Sequence, residues 1–293
     1  METKDNKAKQ WFRRAVLGLA CANFFIWLAI ADAAARGDVE VWFFDIGQGD
    51  AAFIQSPEGV QIIIDGGPGQ AILEKLPKAM PFYDRQIDWM ILSHPDSDHL
   101  AGLLAVLQNY QVDNIIWSGI GKDTSECRKW EELIAAEGAN IFEVLAGDKF
   151  NLGRSDLSVE ILSPESGDEN SAKDSNNLSV AARVVYGDFS SLFAGDIDSK
   201  EEQKILDKNP GLRAGVLKIA HHGSKYSAND EFAAGLMAAA AVISCGENNA
   251  YGHPHQEVLD LLEKYDIKTL RTDINGDIVF RTDGERIFVR TQK

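Results

Sequence analysis

The chain has no histidine between Leu100 and Ala220, and only six in its 293 residues. Cysteine is nearly as scarce. With Cys21 inside an N-terminal apolar stretch, a disulfide framework is excluded, and one pair at most, Cys127 with Cys245, is left beside the commoner alternative of two buried free thiols. No CxxC occurs. Proline is limited to eight residues, and no Pro-rich linker, internal repeat or low-complexity run divides the chain. Residues from 38 onward therefore read as one domain of about 255 residues, long enough for an ample core. Positive charge is also short, 29 Lys and Arg against 45 Asp and Glu. Residues 1–37 hold six basic and three acidic groups, so the remainder carries 23 and 42, a net of −19. A grip on DNA by charge alone rests on Lys and Arg at the phosphates, and no basic stripe is visible beyond KEEQK and RAGVLK.

The histidines that are present fall into three short clusters: SHPDSDH at 93–99, AHHGS at 220–224 and YGHPH at 251–255. Histidine used as an ordinary polar residue would be scattered. Interleaving two imidazoles with two carboxylates on one tight loop is a ligand pattern. IDWMILSH reads as a buried strand and LAGLLAVL as the helix that follows, so the loop is a strand-to-helix turn stiffened by Pro95. Such a turn fans His94 and Asp96 to one side of a pocket and Asp98 and His99 to the other, which predicts two adjacent cations. Capping of the helix accounts for one Asp and for neither His.

These residues resemble the metallo-β-lactamase superfamily, whose loop is HxHxDH; here Asp96 stands in place of the second His. With FFDIGQGDA at 43–51, IIIDGG at 62–67, FAGDID at 193–198, AHHGSKYS at 220–227 and YGHPH, the chain is similar to the hydrolase domain of ComEC-type competence (DNA internalization) proteins, from about residue 38 to its end. The resemblance implies an αββα sandwich of two mixed β-sheets flanked by helices, two divalent metal ions (Zn or Mn), and hydrolysis. It implies His94, Asp96, Asp98, His99, Asp196, His222 and His253 as metal ligands, with Asp196 bridging the ions. A turn aspartate is the plainer reading of Asp196. Of the AHHGS pair one histidine ligates and its neighbour orients substrate or protonates a leaving group; the order is open, with His222 favoured as ligand and His221 as the catalytic partner. His255 opens a helical stretch and suits a cap as well as a site.

Two departures narrow the site. Asp96 replaces an imidazole, and the further His that the superfamily supplies before the bridging Asp is absent, with Asn176 and Asn177 in the corresponding region. They contact substrate or make a turn. A centre richer in oxygen admits Mn²⁺ beside Zn²⁺. Asp98 is positioned to accept a hydrogen bond from a bridging water, while Ser224 and Lys225 lie where a phosphate would need neutralising. Gly-Ser-Lys is equally good loop chemistry. Asp45, Gln48, Asp50 and Asp65 are expected behind the ligands, holding the metal loop. Gly47 and Gly49 allow a tight turn between two strands.

Strand-like runs at 38–44, 51–55, 60–64, 87–92, 141–145, 157–162, 178–186 and 189–195 alternate with helices near 99–109 and 124–137. Farther on, LKIA, AAVIS, IKTLRT, GDIVFRT and RIFVRT read as strands, with helices near 199–207, 229–239 and 255–265. The polar loop 166–177 is expected at the rim of the site. Residues 1–37 read as a signal peptide or single membrane anchor: a basic flank, the apolar run AVLGLACANFFIWLAIA, and a small-residue cleavage site at Ala31-Asp32-Ala33. That places the 38–293 domain extracytoplasmic, anchored or released. The expected function is a phosphodiesterase or nuclease in DNA uptake, with DNA or a small phosphodiester as substrate and a separate membrane channel protein as partner. A phosphorylcholine-esterase-like cell-surface phosphodiesterase and a noncatalytic metal-binding subunit of an uptake complex are the alternatives.

Overall fold

The computed structural model describes residues 2–35, 37–81, 83–153, 156–168 and 175–293, with backbone alone for 2–8 and 28–35. The elements in order are α1 (Glu2–Ala35), β1 (Val39–Phe43), β2 (Ala51–Gln55), β3 (Gln61–Gly66), α2 (Ile72–Ala79), β4 (Gln86–Ile91), α3 (Ser97–Leu107), β5 (Gln111–Trp117), α4 (Ser125–Glu137) and β6 (Asn140–Glu143). There follow β7 (Lys149–Asn151), β8 (Leu157–Ser163), β9 (Ala181–Tyr186), β10 (Phe189–Phe193), α5 (Ser199–Lys208), β11 (Val216–Lys218), α6 (Asp230–Leu236) and β12 (Ala240–Ile243). The chain ends with α7 (Gln256–Lys264), β13 (Lys268–Arg271), α8 (Thr272–Asn275), β14 (Asp277–Thr282) and β15 (Ile287–Gln292).

Two mixed sheets result, of eight strands in the order β15-β14-β1-β2-β3-β4-β5-β6 and of seven in the order β13-β12-β11-β10-β9-β8-β7. Each begins as an antiparallel meander and continues in parallel strands joined by helices: β3 to β6 in one sheet, β10 to β13 in the other. The final hairpin returns to the first sheet, where β14 pairs antiparallel with β1.

The sandwich follows from strands that are apolar on both faces. In β1, Val39, Val41 and Phe43 enter the core between the sheets, while Trp42 and the following Phe44 face the layer of α2, α3 and α4. In β12, Ala240 and Val242 point inward and Ala241 and Ile243 point toward α5, α6 and α7. Successive side chains alternate between faces, so a strand covered on both sides must be apolar throughout. Phe43 and Phe193 stack across the central core with ring centroids 5.5 Å apart. Burying one such ring contributes roughly 2–3 kcal/mol.

Four elements were not expected from the sequence: α2, β5, β7 and α8. Asp113 and Asn114 break the apolar run of β5, and Pro77 lies inside α2, so local pattern hides both while tertiary packing forms them. The run expected as strand from 178 begins instead with a 3-10 turn at Ser175–Leu178, and β9 starts at Ala181. Of the polar loop 166–177, residues 169–174 lie outside the described residues. Cys127 and Cys245 are buried and free. Among the described residues no helix is long and apolar enough to cross a membrane. The apolar run of α1 continues through 28–31, and the Ala31-Asp32-Ala33 side chains follow it; all of these side chains lie outside the described residues.

Candidate metal centre

The parallel strands of both sheets deliver their carboxyl ends to one place, where ligands settle in open α/β sheets. Asp65 ends β3, the SHPDSDH loop follows β4, Asp196 follows β10, His221 and His222 follow β11, and Ser244 follows β12. Asp196 is the hub. One of its oxygens, Oδ1, is 3.3 Å from His99 Nε2; the other, Oδ2, is 3.7 Å from His222 Nε2 and 3.9 Å from both His94 Nε2 and His221 Nε2. It is not a turn aspartate at the surface but a buried carboxylate, and burial alone would raise its pKa. The His99, His222 and His94 imidazoles outweigh that and hold it well below the usual carboxylate range.

The ligand loop is locked from behind. Asp65 accepts the Ser93 amide at 2.8 Å and the Ser93 hydroxyl at 2.7 Å, and its Oδ2 lies 2.8 Å from His99 Nδ1. Asp65 thereby commits the far nitrogen of His99 to its carboxylate and leaves Nε2 facing Asp196. Glycine makes this possible. A Cβ on Gly102 in α3 would stand 1.9 Å from the carbonyl oxygen of Gly66, so helix and strand meet backbone to backbone, and the Gly102 amide donates to Gly67 O at 2.8 Å. Asp96 occupies the N-cap position of α3 but makes no side-chain cap. Its carboxylate lies 3.8 Å from His94 Nε2 and pairs with Lys122. Asp98, in the first helical turn, has Oδ2 3.2 Å from His222 Nε2.

Both residues of the His221-His222 pair are left-handed, with φ of 50° and 54°, a conformation that costs roughly 1–2 kcal/mol per residue. Gly223 continues it at φ 83°, where a Cβ would meet Pro254 Cβ at 2.6 Å. The strained turn aims both rings at Asp196. His222 is buried and its Nδ1 lies 3.0 Å from Ser244 O and 3.2 Å from Asp50 Oδ1. Asp50 in turn holds the buried Lys218 at 2.8 Å. Burial lowers the pKa of His222, but the Asp196, Asp50 and Asp98 carboxylates outweigh it and raise the ring to about 9. His99 is likewise raised well above its ordinary value by Asp196 and Asp65, against burial. A cation binding here must displace those protons.

Donor atoms that fit a metal are therefore gathered. His94 Nε2 is buried with no hydrogen-bond partner among the described residues, and the buried His99 Nε2 and Asp196 Oδ1 have only each other, 3.3 Å apart; an unpaired buried group is disfavoured by about 1–3 kcal/mol unless something else takes the lone pair. Two overlapping sets place all their ligand atoms within 4.8 Å of one another: His94, His99 and Asp196, and Asp98, His99 and His222. Of the AHHGS pair, burial and the fixed Nδ1 put His222 in the ligand position, while His221 has its side chain one-third exposed. His253 stands one layer out, its ring 5.7 Å from His221 and 6.2 Å from His222. Burial and the neighbouring His222, His221 and His255 rings lower it to about 4. His255 precedes α7 without a side-chain cap, and its ring is 5.1 Å from His253.

Other expected residues are placed as follows. Gln48 Oε1 accepts the Gly246 amide at 3.1 Å, tying the β1–β2 loop to the loop after β12. Asn177 brackets Asp198, accepting its amide at 2.9 Å and donating to its carboxylate at 3.0 Å, and so fixes the strand-to-helix turn that carries Asp196. Asn176 O accepts the Ser179 hydroxyl at 2.6 Å. The Asp45 amide donates to Asp277 at 2.9 Å, and along the same loop the Asp50 amide donates to Asp98 O at 3.1 Å. Ser224 is buried in its own turn, where its hydroxyl accepts the Tyr226 amide at 3.4 Å, and Lys225 lies over the Tyr226 ring. The Ser224 amide donates to His221 O at 2.9 Å, but the side-chain contacts of both residues run to Tyr226 rather than to a side chain of the cluster. Lys122, Lys218 and Ser93 were not singled out from the sequence; a lone Lys or Ser carries no local signal.

An eight- and a seven-stranded sheet packed face to face between helices, with His and Asp side chains on the loops after their parallel strands, define a metallo-hydrolase sandwich. The chain belongs to the Metallo-beta-lactamase superfamily, which matches residues 44–246. It is 34% identical over 290 residues to ComE operon protein 3 of Bacillus subtilis, covering 90% of this chain and 35% of that protein. It is 28% identical to Competence protein ComA of Neisseria gonorrhoeae, over 85% of this chain and 33% of the other. Recombination protein 2 of Haemophilus influenzae is also 28% identical, over 80% and 28%. The chain thus spans about a third of the length of these relatives. Among solved structures, the metallo-beta-lactamase fold protein YhfI from Bacillus subtilis superposes with a TM-score of 0.51 at 13% identity, covering 79% of this chain and 95% of that one. CmlA beta-hydroxylase, as its E377D mutant, superposes with 0.54 at 14% identity, over 84% and 54%. These two speak for the fold alone.

Proposed function

We propose that the chain is a dinuclear metal-dependent phosphodiesterase or nuclease that acts on DNA during its uptake, outside the cytoplasmic membrane. The observation that carries this reading is the convergence of buried ligand atoms from His94, His99 and Asp196 within 4.8 Å of one another in a chain whose relatives are competence and recombination proteins. His94 and Asp96 would hold one ion and Asp98, His99 and His222 the other, with Asp196 between them. Two divalent ions, zinc or manganese, would lower the pKa of a water toward ~7 and offset the charge growing on a phosphoryl oxygen. Asp96 in place of an imidazole favours the harder of the two. From the chain itself, Asp98 Oδ2 would accept the hydrogen bond of the attacking water, and His221, on the open side, would hold the proton for the leaving oxygen. His253 would steady His221.

The segment 2–35 supports the location. Within α1, Lys9, Arg13 and Arg14 come before a stretch that exposes Leu17, Leu19, Phe24, Phe25 and Trp27, the order of a basic cytoplasmic flank and an inserted apolar segment. A separate membrane channel protein would then move the DNA. The net charge of −19 beyond residue 37 favours the second reading, a small phosphodiester as substrate, since a duplex is repelled. The test is cleavage of single- and double-stranded DNA by the purified chain with Mn²⁺ or Zn²⁺, against an Asp98→Ala control. Cleavage lost in the variant supports the nuclease. No cleavage by a metal-loaded chain refutes it and turns the search to small phosphodiesters.

A further inference from the structure

Lys122 lies on the loop between β5 and α4, and that loop is pinned. Its amide donates to Cys127 Sγ at 3.2 Å and its carbonyl accepts the Thr124 amide at 2.8 Å. Thr124 caps α4 by accepting the Cys127 amide at 3.1 Å. The first turn of α4 is tied to the ligand loop through Ser97 Oγ and Glu126 Oε1, 2.9 Å apart. From this base the ammonium reaches Asp96 Oδ1, itself 3.8 Å from His94 Nε2. Lys122 and Asp96 are about a third exposed, 32% and 30%, whereas His94 is closed off at 0%. The ammonium therefore stands at the mouth of the centre, not in its floor.

We propose that Lys122 is the phosphate-binding cation of this centre: it rests on Asp96 until a metal takes that carboxylate, and then meets a non-bridging oxygen of the substrate phosphodiester. This rests on the phosphodiesterase reading above. A divalent ion and an ammonium repel each other across one carboxylate oxygen, so metal binding to Asp96 turns the flexible lysine stem toward the open side. The neighbouring lysines have other partners in this structure. Lys218 is 3% exposed and held by Asp50 and by its neighbour's carbonyl, and Lys225 lies on Tyr226. A domain with so negative a balance needs local positive charge to receive a phosphate, and Lys122 brings it to the entrance.

The probe is inorganic phosphate titrated calorimetrically into the Mn²⁺-loaded full chain, with Mn²⁺ affinity measured in parallel by chelator competition. Lys122→Ala and Lys122→Met, the latter keeping most of the aliphatic stem, are expected to weaken phosphate binding about tenfold, the loss of one charge-assisted hydrogen bond. Mn²⁺ affinity should be unchanged or higher, since Asp96 loses a competitor, and Lys122→Arg should restore phosphate binding. With bis(p-nitrophenyl) phosphate as substrate, KM should rise more than kcat falls. Unchanged phosphate affinity overturns the proposal, as does a phosphate loss matched by an equal loss of Mn²⁺, which would make Lys122 only a positioning residue for Asp96. The phosphate titration needs no turnover, so failure of DNA cleavage by the wild type refutes the nuclease reading without deciding this one.

Discussion

Gly102→Ala is the substitution on which the architecture and the centre can be tested together. Replacing glycine by alanine in an open helix stabilises it by about 1 kcal/mol. At Gly102 the new Cβ would instead stand 1.9 Å from Gly66 O, 2.5 Å from Gly66 C and 2.9 Å from Gly66 Cα, where relaxed separations are about 3.5–4.0 Å. The obstructing atoms are backbone, so relief requires α3 to retreat from β3 by on the order of 1 Å. Overpacking costs about 1–3 kcal/mol and more when nothing flexible can yield, so the clash outweighs the helix gain and the net loss is about 2 kcal/mol. His99 rides on the same helix with its Nδ1 2.8 Å from Asp65 Oδ2. Loosening that contact should lower metal affinity about 10–100-fold. The assays are a urea midpoint for stability and chelator competition for Mn²⁺. Gly235→Ala in α6 is the control, since its Cβ would meet only the Leu206 methyl carbons at 3.3 and 3.6 Å, and it should leave both readouts near wild type. A Gly102→Ala chain as stable as wild type, with unchanged metal affinity, would refute the reasoning.

Asp196→Asn removes the carboxylate charge that faces the rings of both ligand sets, His94 and His99 on one side and His222 on the other, and bound metal measured by mass spectrometry should fall from two ions per chain to one or none; two tightly held ions would refute the hub role. Metal binding to the folded state alone should raise stability by about 2.7 kcal/mol when free Mn²⁺ is 100 times its Kd, seen as a melting temperature several degrees above that in EDTA. Coincident melting curves would count against a metal centre. Glu202 is buried with the Ala228 and Asn229 amides donating to it at 2.8 Å each, yet burial pushes its carboxyl up to about 8 from an ordinary 4.5. The folded chain then keeps a proton that the unfolded chain has released. Stability contributed by this group is present below the unfolded pKa and is lost as pH rises through about 8, by at most about 1.4 kcal/mol per pH unit. Wild type should therefore lose urea resistance relative to Glu202→Gln between pH 5 and 8. A difference that stays flat over that range would refute the shift.

Much of the candidate site was legible because its chemistry is local. SHPDSDH carries four of the donor residues within six positions, and the strand before it and helix after it announce themselves by apolar pattern. Asp65 was readable as support for the metal loop but not as the partner of His99 Nδ1, because the two residues lie 34 positions apart. Ser224 and Lys225 looked suited to a phosphate through adjacency to His222. The turn instead buries Ser224 and turns Lys225 onto Tyr226. β5 and α2 went unseen because Asp113, Asn114 and Pro77 disturb local patterns that burial against α3 and α4 overrides.

By itself the sequence determined the metal-ligand pattern and the acidic balance of the domain, through residue type and spacing, and its motifs carried the resemblance that implied the superfamily and the αββα sandwich. Tertiary structure decided what depends on elements meeting across the sandwich. It chose His222 over His221 as the buried ring by two consecutive left-handed residues, set Asp50 and Lys218 behind that ring, and brought Lys122 to Asp96 from 26 residues away. The physical reason is that a ligand field is made of distances in space. The carboxyl ends of parallel strands in two different sheets create those distances only once the cores beneath them have closed.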